Sequence, residues 1–346
     1  MRLWASISHH GLGHLAQTAP ILYALHGQAA AIVVQSALPL ARLQARLPQP
    51  FVHNPEAAET AFVMFDALRV DVAASRAAFA AFHHDWPQRV DALARELERQ
   101  RVDVVLANVA YLPLAAAARV GLPAYAVCSL NWADIYAHYV GRDTVWQTML
   151  EAYAGARSFF RPTPAMPMPW LENAETVGVL AQPGVNRRGE MAERLKLDNT
   201  RRMWLVGMGG FGWEAAPDLL PQRPNTVWLL PDDWPAGHND MYRFSQAGMD
   251  FADVLASCDG LFTKPGYGSF AEAATQGLDV LYLSRPDWPE SPALTDWLHA
   301  NTRARAVMPQ RADLAKALDD IAAQPKPPRP TADGAATIRT RFLGRA

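Results

Sequence analysis

Apolar and polar positions along this chain follow two rhythms. Short apolar runs bounded by turn residues recur at residues 3–8, 30–35, 102–107, 124–129, 203–206, 227–230 and 279–283, and read as strands buried on both faces. Longer stretches with apolar positions at helical spacing separate them, as at residues 112–120 and in the Ala-rich span 57–101. Repeated strand–helix units of this kind predict parallel sheets covered on both faces. The proline-rich stretch 161–169 marks a break, residues 175–180 read as the strand closing a first sheet, and 185–197 as a connecting helix. The pattern divides the chain into a first domain over 1–183, a connection over 184–200, a second domain over 201–325, and a tail over 326–346. The tail carries a helix at 332–342 that either returns to the first domain or frays. No repeat of fixed period appears, so the two halves share a layout and not a sequence.

Three glycine-rich strand-to-helix turns carry the candidate chemistry. The third, Lys264-Pro265-Gly266-Tyr267-Gly268-Ser269, follows an apolar run at 254–262 and precedes a helix from about 270 to 276 that Gly277 stops. A helix start exposes backbone N–H groups and carries roughly half a positive charge, and Lys264 adds a full one, so the expected guest is a diphosphate. The P-loop pattern is absent. Glu272 lies about one helical turn beyond Gly268, in reach of a ribose diol, and Glu290 follows the next strand on the far side of the phosphates. A diol, a diphosphate and a polyol in series describe a nucleotide sugar. The bland alternative is that the glycines only reverse the chain and that Glu272 is a solvated helix residue.

The first turn, His9-His10-Gly11-Leu12-Gly13-His14, places three imidazoles where a catalytic histidine would face a cleft, or where a histidine would only cap the helix or satisfy the core. Its formal match to the dinucleotide fingerprint lacks the ribose-binding acid, since Gln35-Ser36 stands at that place. That disfavours a nicotinamide oxidoreductase. The second turn, Gly207 to Gly212, offers Gly209 and Gly210 for close approach to a ligand. His83-His84-Asp85 point apart on a helix, and Asp232-Asp233 are adjacent instead of spaced as D-x-D, so no metal and no cofactor is assigned.

Composition narrows the setting. At 346 residues and 50% hydrophobic, the chain exceeds one typical core. A net charge of −2 gives no attraction to nucleic acid. The two cysteines, Cys128 and Cys258, lie in apolar runs and read as buried thiols of a reducing, cytoplasmic compartment. No stretch reaches the ~20 apolar residues of a membrane span, and the N-terminus lacks a secretory signal. Trp132, Trp213, Trp234 and Trp288 sit in polar contexts suited to carbohydrate or to packing. Phe62, Phe65, Phe79, Phe82 and Trp86 read as core or acceptor pocket, with peripheral membrane contact conceivable near Phe62 and Phe65.

Four stretches resemble a known group: HHGLGH at 9–14, CSLNWADIYAHYV at 128–140, NRRGEMAERLKL at 186–197, and TKPGYGSFAEA with SRPDWPESP within 263–292. The chain resembles GT-B glycosyltransferases of the inverting UDP-sugar type, among them the UDP-glycosyltransferases and the peptidoglycan N-acetylglucosaminyltransferase. It is most similar to the glycosyltransferase-like domain beside L-arabinokinase. The resemblance implies two doubly wound Rossmann-like domains facing across a cleft, with the donor held mainly by the second. It implies a histidine base matched by His14, with His10 as rival, and a metal-independent transfer to an acceptor hydroxyl on a small or lipid-linked molecule. It places Gly266, Gly268 and Ser269, with Tyr267 and Lys264, at the diphosphate, Glu272 at the ribose, and Glu290 with Arg285 near the donor sugar. The group often orients its histidine with an acid where this chain has Asn108; Asp134 is the candidate substitute. A nucleotide-sugar epimerase of the same architecture and a non-catalytic nucleotide-sugar sensor are the competing functions.

Overall fold

A computed structural model describes residues 1–66, 68–209 and 216–344. Thirteen strands form two sheets, and every strand pairing in them is parallel. The first sheet holds β1 (Arg2–Ile7), β2 (Ala31–Gln35), β3 (Val52–Asn54), β4 (Val104–Asn108), β5 (Ala124–Val127), β6 (Ser158–Pro162) and β7 (Ala174–Val177). Their spatial order is β3-β2-β1-β4-β5-β6-β7. The second sheet holds β8 (Arg202–Gly207), β9 (Thr226–Leu230), β10 (Met241–Arg243), β11 (Gly260–Thr263), β12 (Asp279–Leu283) and β13 (Ala304–Val307), ordered β10-β9-β8-β11-β12-β13. Each sheet therefore reverses its winding once, between β1 and β4 and between β8 and β11. Ligands of open α/β sheets gather outside the strand ends at such a reversal.

The hydrophobic pattern located most strands because the central ones are wholly buried: β4, β5, β9, β11 and β12 expose nothing appreciable. Four expectations are corrected. The apolar run at 254–262 is a helix, Phe251–Ser257, followed by the short β11, because apolar spacing alone does not separate a buried helix from a buried strand. The helix after the third turn begins at Tyr267 instead of about 270, since Gly268 and Ser269 are inside its first turn. The proline-rich break contains the end of β6, whose Pro162 is its last residue. The span 57–101 is helical only over Val72–His84 and Trp86–Arg99, and a bridge pairs Met64 with Val70 before them.

Of the aromatic residues in that span, Phe62, Phe79 and Phe82 are core, whereas Phe65 is 65% exposed. Both cysteines are buried and free. Among the described residues no helix is long and apolar enough to cross a membrane. The helix Gly13–Leu25 is buried on most of its circumference, because the helix Tyr267–Gln276 of the second half packs on one side and the closing helix Gly334–Gly344 on another. That last helix returns to the first sheet, where Phe342 packs on Tyr125 with ring centroids 4.8 Å apart. The chain thus passes between the sheets twice, through residues 178–187 and 323–333. The first passage touches the end of the second where Gly334, the first residue of the closing helix, donates its N–H to the Val179 carbonyl at 3.0 Å.

Candidate active site

Strand register builds the site. Ile7 at the end of β1 is opposite Asn108 at the end of β4, so the histidine turn after β1 overhangs Asn108. His14 opens its helix there and is buried, with Nδ1 3.0 Å from Asn108 Oδ1. Asn108 Nδ2 donates in turn to the His14 carbonyl at 3.3 Å. Because that carbonyl only accepts, the amide nitrogen must face it and Oδ1 must face the ring. The ring therefore carries its proton on Nδ1 and its lone pair on Nε2. Burial, against the Asn108 hydrogen bond, brings the His14 pKa down to about 4. His10 packs edge-on against Trp132 with centroids 5.3 Å apart and stacks on Trp288 at 6.2 Å. Burial first, then the neighbouring His14, Lys264 and Arg285, hold its pKa well down. Both imidazoles are neutral at pH 7.

The second sheet builds its turns by the same kind of register. Gly207 on β8 is opposite Thr263 on β11, which brings Gly209 beside Lys264: a Cβ on Gly209 would sit 3.7 Å from Nζ. The Leu12 N–H reaches the Gly209 carbonyl at 3.4 Å, joining the two reversals. The N–H groups of Tyr267, Gly268 and Ser269 lie in the first turn of their helix, which has no acidic residue there to neutralise them. Lys264 and Arg285 add positive charge. Burial, with Arg285 nearby and Glu290 opposing, lowers Lys264 to about 8. The Arg285 guanidinium lies 4.0 Å over the Trp288 ring and donates to the Leu68 carbonyl at 2.9 Å. Glu290 is buried; it accepts from Ser129 Oγ at 2.5 Å and from Trp288 Nε1 at 3.3 Å, and burial pushes its pKa up. Ser129 is itself held by Gln17 Nε2 at 3.0 Å, one turn after His14.

One cleft thus gathers His10, His14, Gly209, Lys264, Gly266, Tyr267, Gly268, Ser269, Arg285 and Glu290 from the residues singled out by sequence. Tyr267 faces away from chemistry: its hydroxyl donates to the Thr163 carbonyl at 3.0 Å and accepts the Leu180 N–H at 2.8 Å, pinning the halves together. Asn108 sits behind His14 and does not line the cleft. Asp134 is not brought to His14; Asn131 Nδ2 donates to it at 2.8 Å within its own helix turn. Glu272 is buried outside the cleft lining and ion-paired with Arg46 of the first half. Gly210 and Trp213 lie outside the described residues. Among the described residues no cluster of His, Cys, Asp and Glu forms a metal site.

Sequence reasoning passed over Arg46, Gln17, Ser129 and Glu59. Arg46 is 226 positions from its partner, and nothing local marks it. Glu59 is buried under the histidine turn, where it accepts from Trp132 Nε1 at 2.7 Å, and burial raises its pKa to about 8. An acid three residues before Phe62 was the available signal.

The cleft encloses only about 90 Å³, whereas sites for drug-sized ligands hold roughly 300–1,000 Å³. The tightness comes from the approach of the halves: a Cβ on Gly268 would stand 2.7 Å from the Ala16 Cβ. A ligand of that size does not fit this cleft as the halves stand.

No protein-family model matches the chain. L-arabinokinase of Arabidopsis thaliana is 26% identical over 258 residues, 68% of this chain and 23% of that much longer protein. A solved UDP-N-acetylglucosamine 2-epimerase is 14% identical, with a TM-score of 0.60 and 100% of this chain and 96% of that one covered. The glycosyltransferase SnogD of Streptomyces nogalater gives 0.60 at 14% identity, covering 100% and 99%. This chain has the GT-B fold. Phytolacca americana UGT2, solved with UDP-2-fluoroglucose and pterostilbene, shares that fold with a TM-score of 0.54 at 14% identity, covering 99% of this chain and 93% of its own. The GT-B neighbours are thus both transferases and epimerases, and the fold alone does not choose between them.

Proposed function

We propose that the chain is a metal-independent, inverting glycosyltransferase that takes its sugar from a nucleoside diphosphate. The observation that carries this reading is the Nδ1–H of His14 tied to Asn108, which leaves the lone pair on Nε2, in a cleft that also holds a helix start with Lys264 and Arg285. The acceptor hydroxyl gives its proton to Nε2 as its oxygen bonds to the anomeric carbon. The bond from that carbon to the diphosphate breaks, and its electrons leave with the phosphate oxygen. The N–H groups of residues 267–269 and Lys264 stabilise the departing charge. Glu272 takes the ribose once the donor displaces Arg46, Glu290 and Arg285 hold the sugar, and Gly209 lets the backbone approach it. No cofactor enters this scheme; the nucleotide sugar is a substrate, and the cytoplasm supplies it. The UDP-sugar held by the Phytolacca transferase supports the donor class.

Glu290 favours a second reading. A carboxyl whose pKa burial raises, set in one cleft with two neutral imidazoles, suits proton exchange on the sugar itself, which is what an epimerase requires.

Thermal shift against UDP, GDP and dTDP tests the donor site, since a ligand at ~100 Kd adds about 2.7 kcal/mol. One nucleotide class should raise the Tm, and Glu272→Ala should weaken that ligand about tenfold; equal affinity in the two proteins sinks the ribose assignment. His14→Ala should keep nucleotide binding and lose transfer. Incubation of the matching UDP-sugar without acceptor, followed by proton NMR, decides the reaction: a new sugar epimer establishes the second reading, and binding without turnover under any condition leaves a sensor.

A further inference from the structure

Beside the donor cleft lies a second, larger cavity of about 620 Å³, which shares His10, Gly11, Leu12, Met64 and Gly209 with it as lining. Its own walls are Leu38, Pro39, Phe62, Val63 and Ala78, all apolar, together with Thr60, Ala61, His9 and Arg42. Burial lowers the pKa of His9, as it does that of His10, so the imidazoles bring no charge at pH 7. Arg42, on the short helix Leu40–Gln44, is then the permanent charge in the lining, and no carboxylate lines the cavity among the described residues. Asp232 of the second half stands close enough to feel Arg42, but it lies outside the lining and accepts the Ser245 N–H at 2.9 Å. Apolar surface continues outward: Val63 in the wall is 39% exposed, and Leu40 and Phe65, neighbours of wall residues in the chain, are 43% and 65% exposed.

From this we infer that the acceptor is a hydroxylated molecule with an apolar body and one anionic group, which seats its body against Phe62 and Val63, its anion at Arg42, and its hydroxyl at the histidine turn. The inference rests on the transferase reading and adds to it the class of acceptor. Size and polarity decide it. A cavity of this volume takes a compact molecule of drug-like size. Its apolar walls offer a free sugar few hydrogen-bond partners, and a polyol desolvated there would lose its bonds to water without replacement. A cationic amine would meet Arg42 with nothing in the lining to offset the repulsion. A carboxylate matches the guanidinium fork.

A matched pair of probes tests it: 4-hydroxycinnamate and 4-hydroxycinnamyl alcohol, titrated calorimetrically into the UDP-loaded protein. The carboxylate should bind about tenfold more tightly than the alcohol, and Arg42→Gln should bring the ratio near one without altering UDP affinity. Ala78→Trp, which fills the cavity from a helix surface, should abolish both probes and also leave UDP affinity unchanged, which certifies the fold. A ratio that survives Arg42→Gln, an alcohol that binds the parent protein more tightly, or UDP binding with no binding of either probe overturns the inference while the donor reading stands. Absence of UDP binding in the parent protein strikes the donor reading itself and removes the basis of this one.

Discussion

At the scale of single residues, the site is governed by what burial does to protons. His14 keeps its imidazole neutral down to about pH 4 because burial disfavours the imidazolium, and Asn108 opposes that with an oxygen dipole and not a charge. Asn108→Asp would put an anion at the same 3.0 Å, so the His14 pKa should climb by more than one unit, read from its ring protons by NMR titration, and a transferase should gain rate at neutral pH. Glu59 shows the opposite sign. Its folded pKa, about 8, lies above that of an unfolded glutamate, so the folded state binds the extra proton between pH 4.5 and 8 and stability falls as pH rises through that window. Above pH 8 the full penalty applies, on the order of 5 kcal/mol. Glu59→Gln should therefore match the parent protein in Tm near pH 4.5 and exceed it increasingly toward pH 9; a constant difference across that range would show that Glu59 does not titrate there. Residues of this scale were unevenly legible. The histidine turn, Lys264 and Glu290 declare themselves through glycine spacing and strand ends. Arg46 and the surroundings of Glu59 do not, because their partners are remote in the chain and burial is a property of the assembled core.

At the scale of elements, the three glycine turns were readable because each needs a backbone conformation or an approach that side chains forbid. Gly209 has φ +69°, and Gly268 meets Ala16. The weakly signalled elements are the short ones. The strand β6 ends in proline, and the helix Phe251–Ser257 has too few residues for its period to show. The contact at Gly268 makes a direct test. Gly268→Ala places two Cβ atoms 2.7 Å apart, so the helices must separate and stability should drop by about 1–3 kcal/mol. Ala16→Gly in the same chain should restore most of the loss. A double-mutant cycle in denaturant with no coupling would place the two helices apart in solution.

The fold of the whole molecule was the most legible part, since two series of alternating strands and helices with a connection between them prescribe two doubly wound halves. How the halves sit together was not in the pattern. The tight fit depends on Tyr267 gripping the Thr163 and Leu180 backbone, on Ser129 meeting Glu290, and on Arg46 meeting Glu272. The closing helix belongs to this scale too. Ile338 and Phe342 are both wholly buried against the first half, and each contributes roughly 2–3 kcal/mol of burial. A chain cut back to residue 330 should therefore lose several degrees in Tm and bind a hydrophobic dye, whatever happens at the nucleotide site.

The two passages between the halves run side by side, joined by the bond from Gly334 to Val179. Two ribbons fastened at one edge behave like the spine of a book: the covers swing apart, but they do not slide or twist freely past one another. On the proposed donor reading, the swing that would admit a donor is then close to a single motion, and a protease that nicks only residues 323–333 should leave both covers bound and co-eluting.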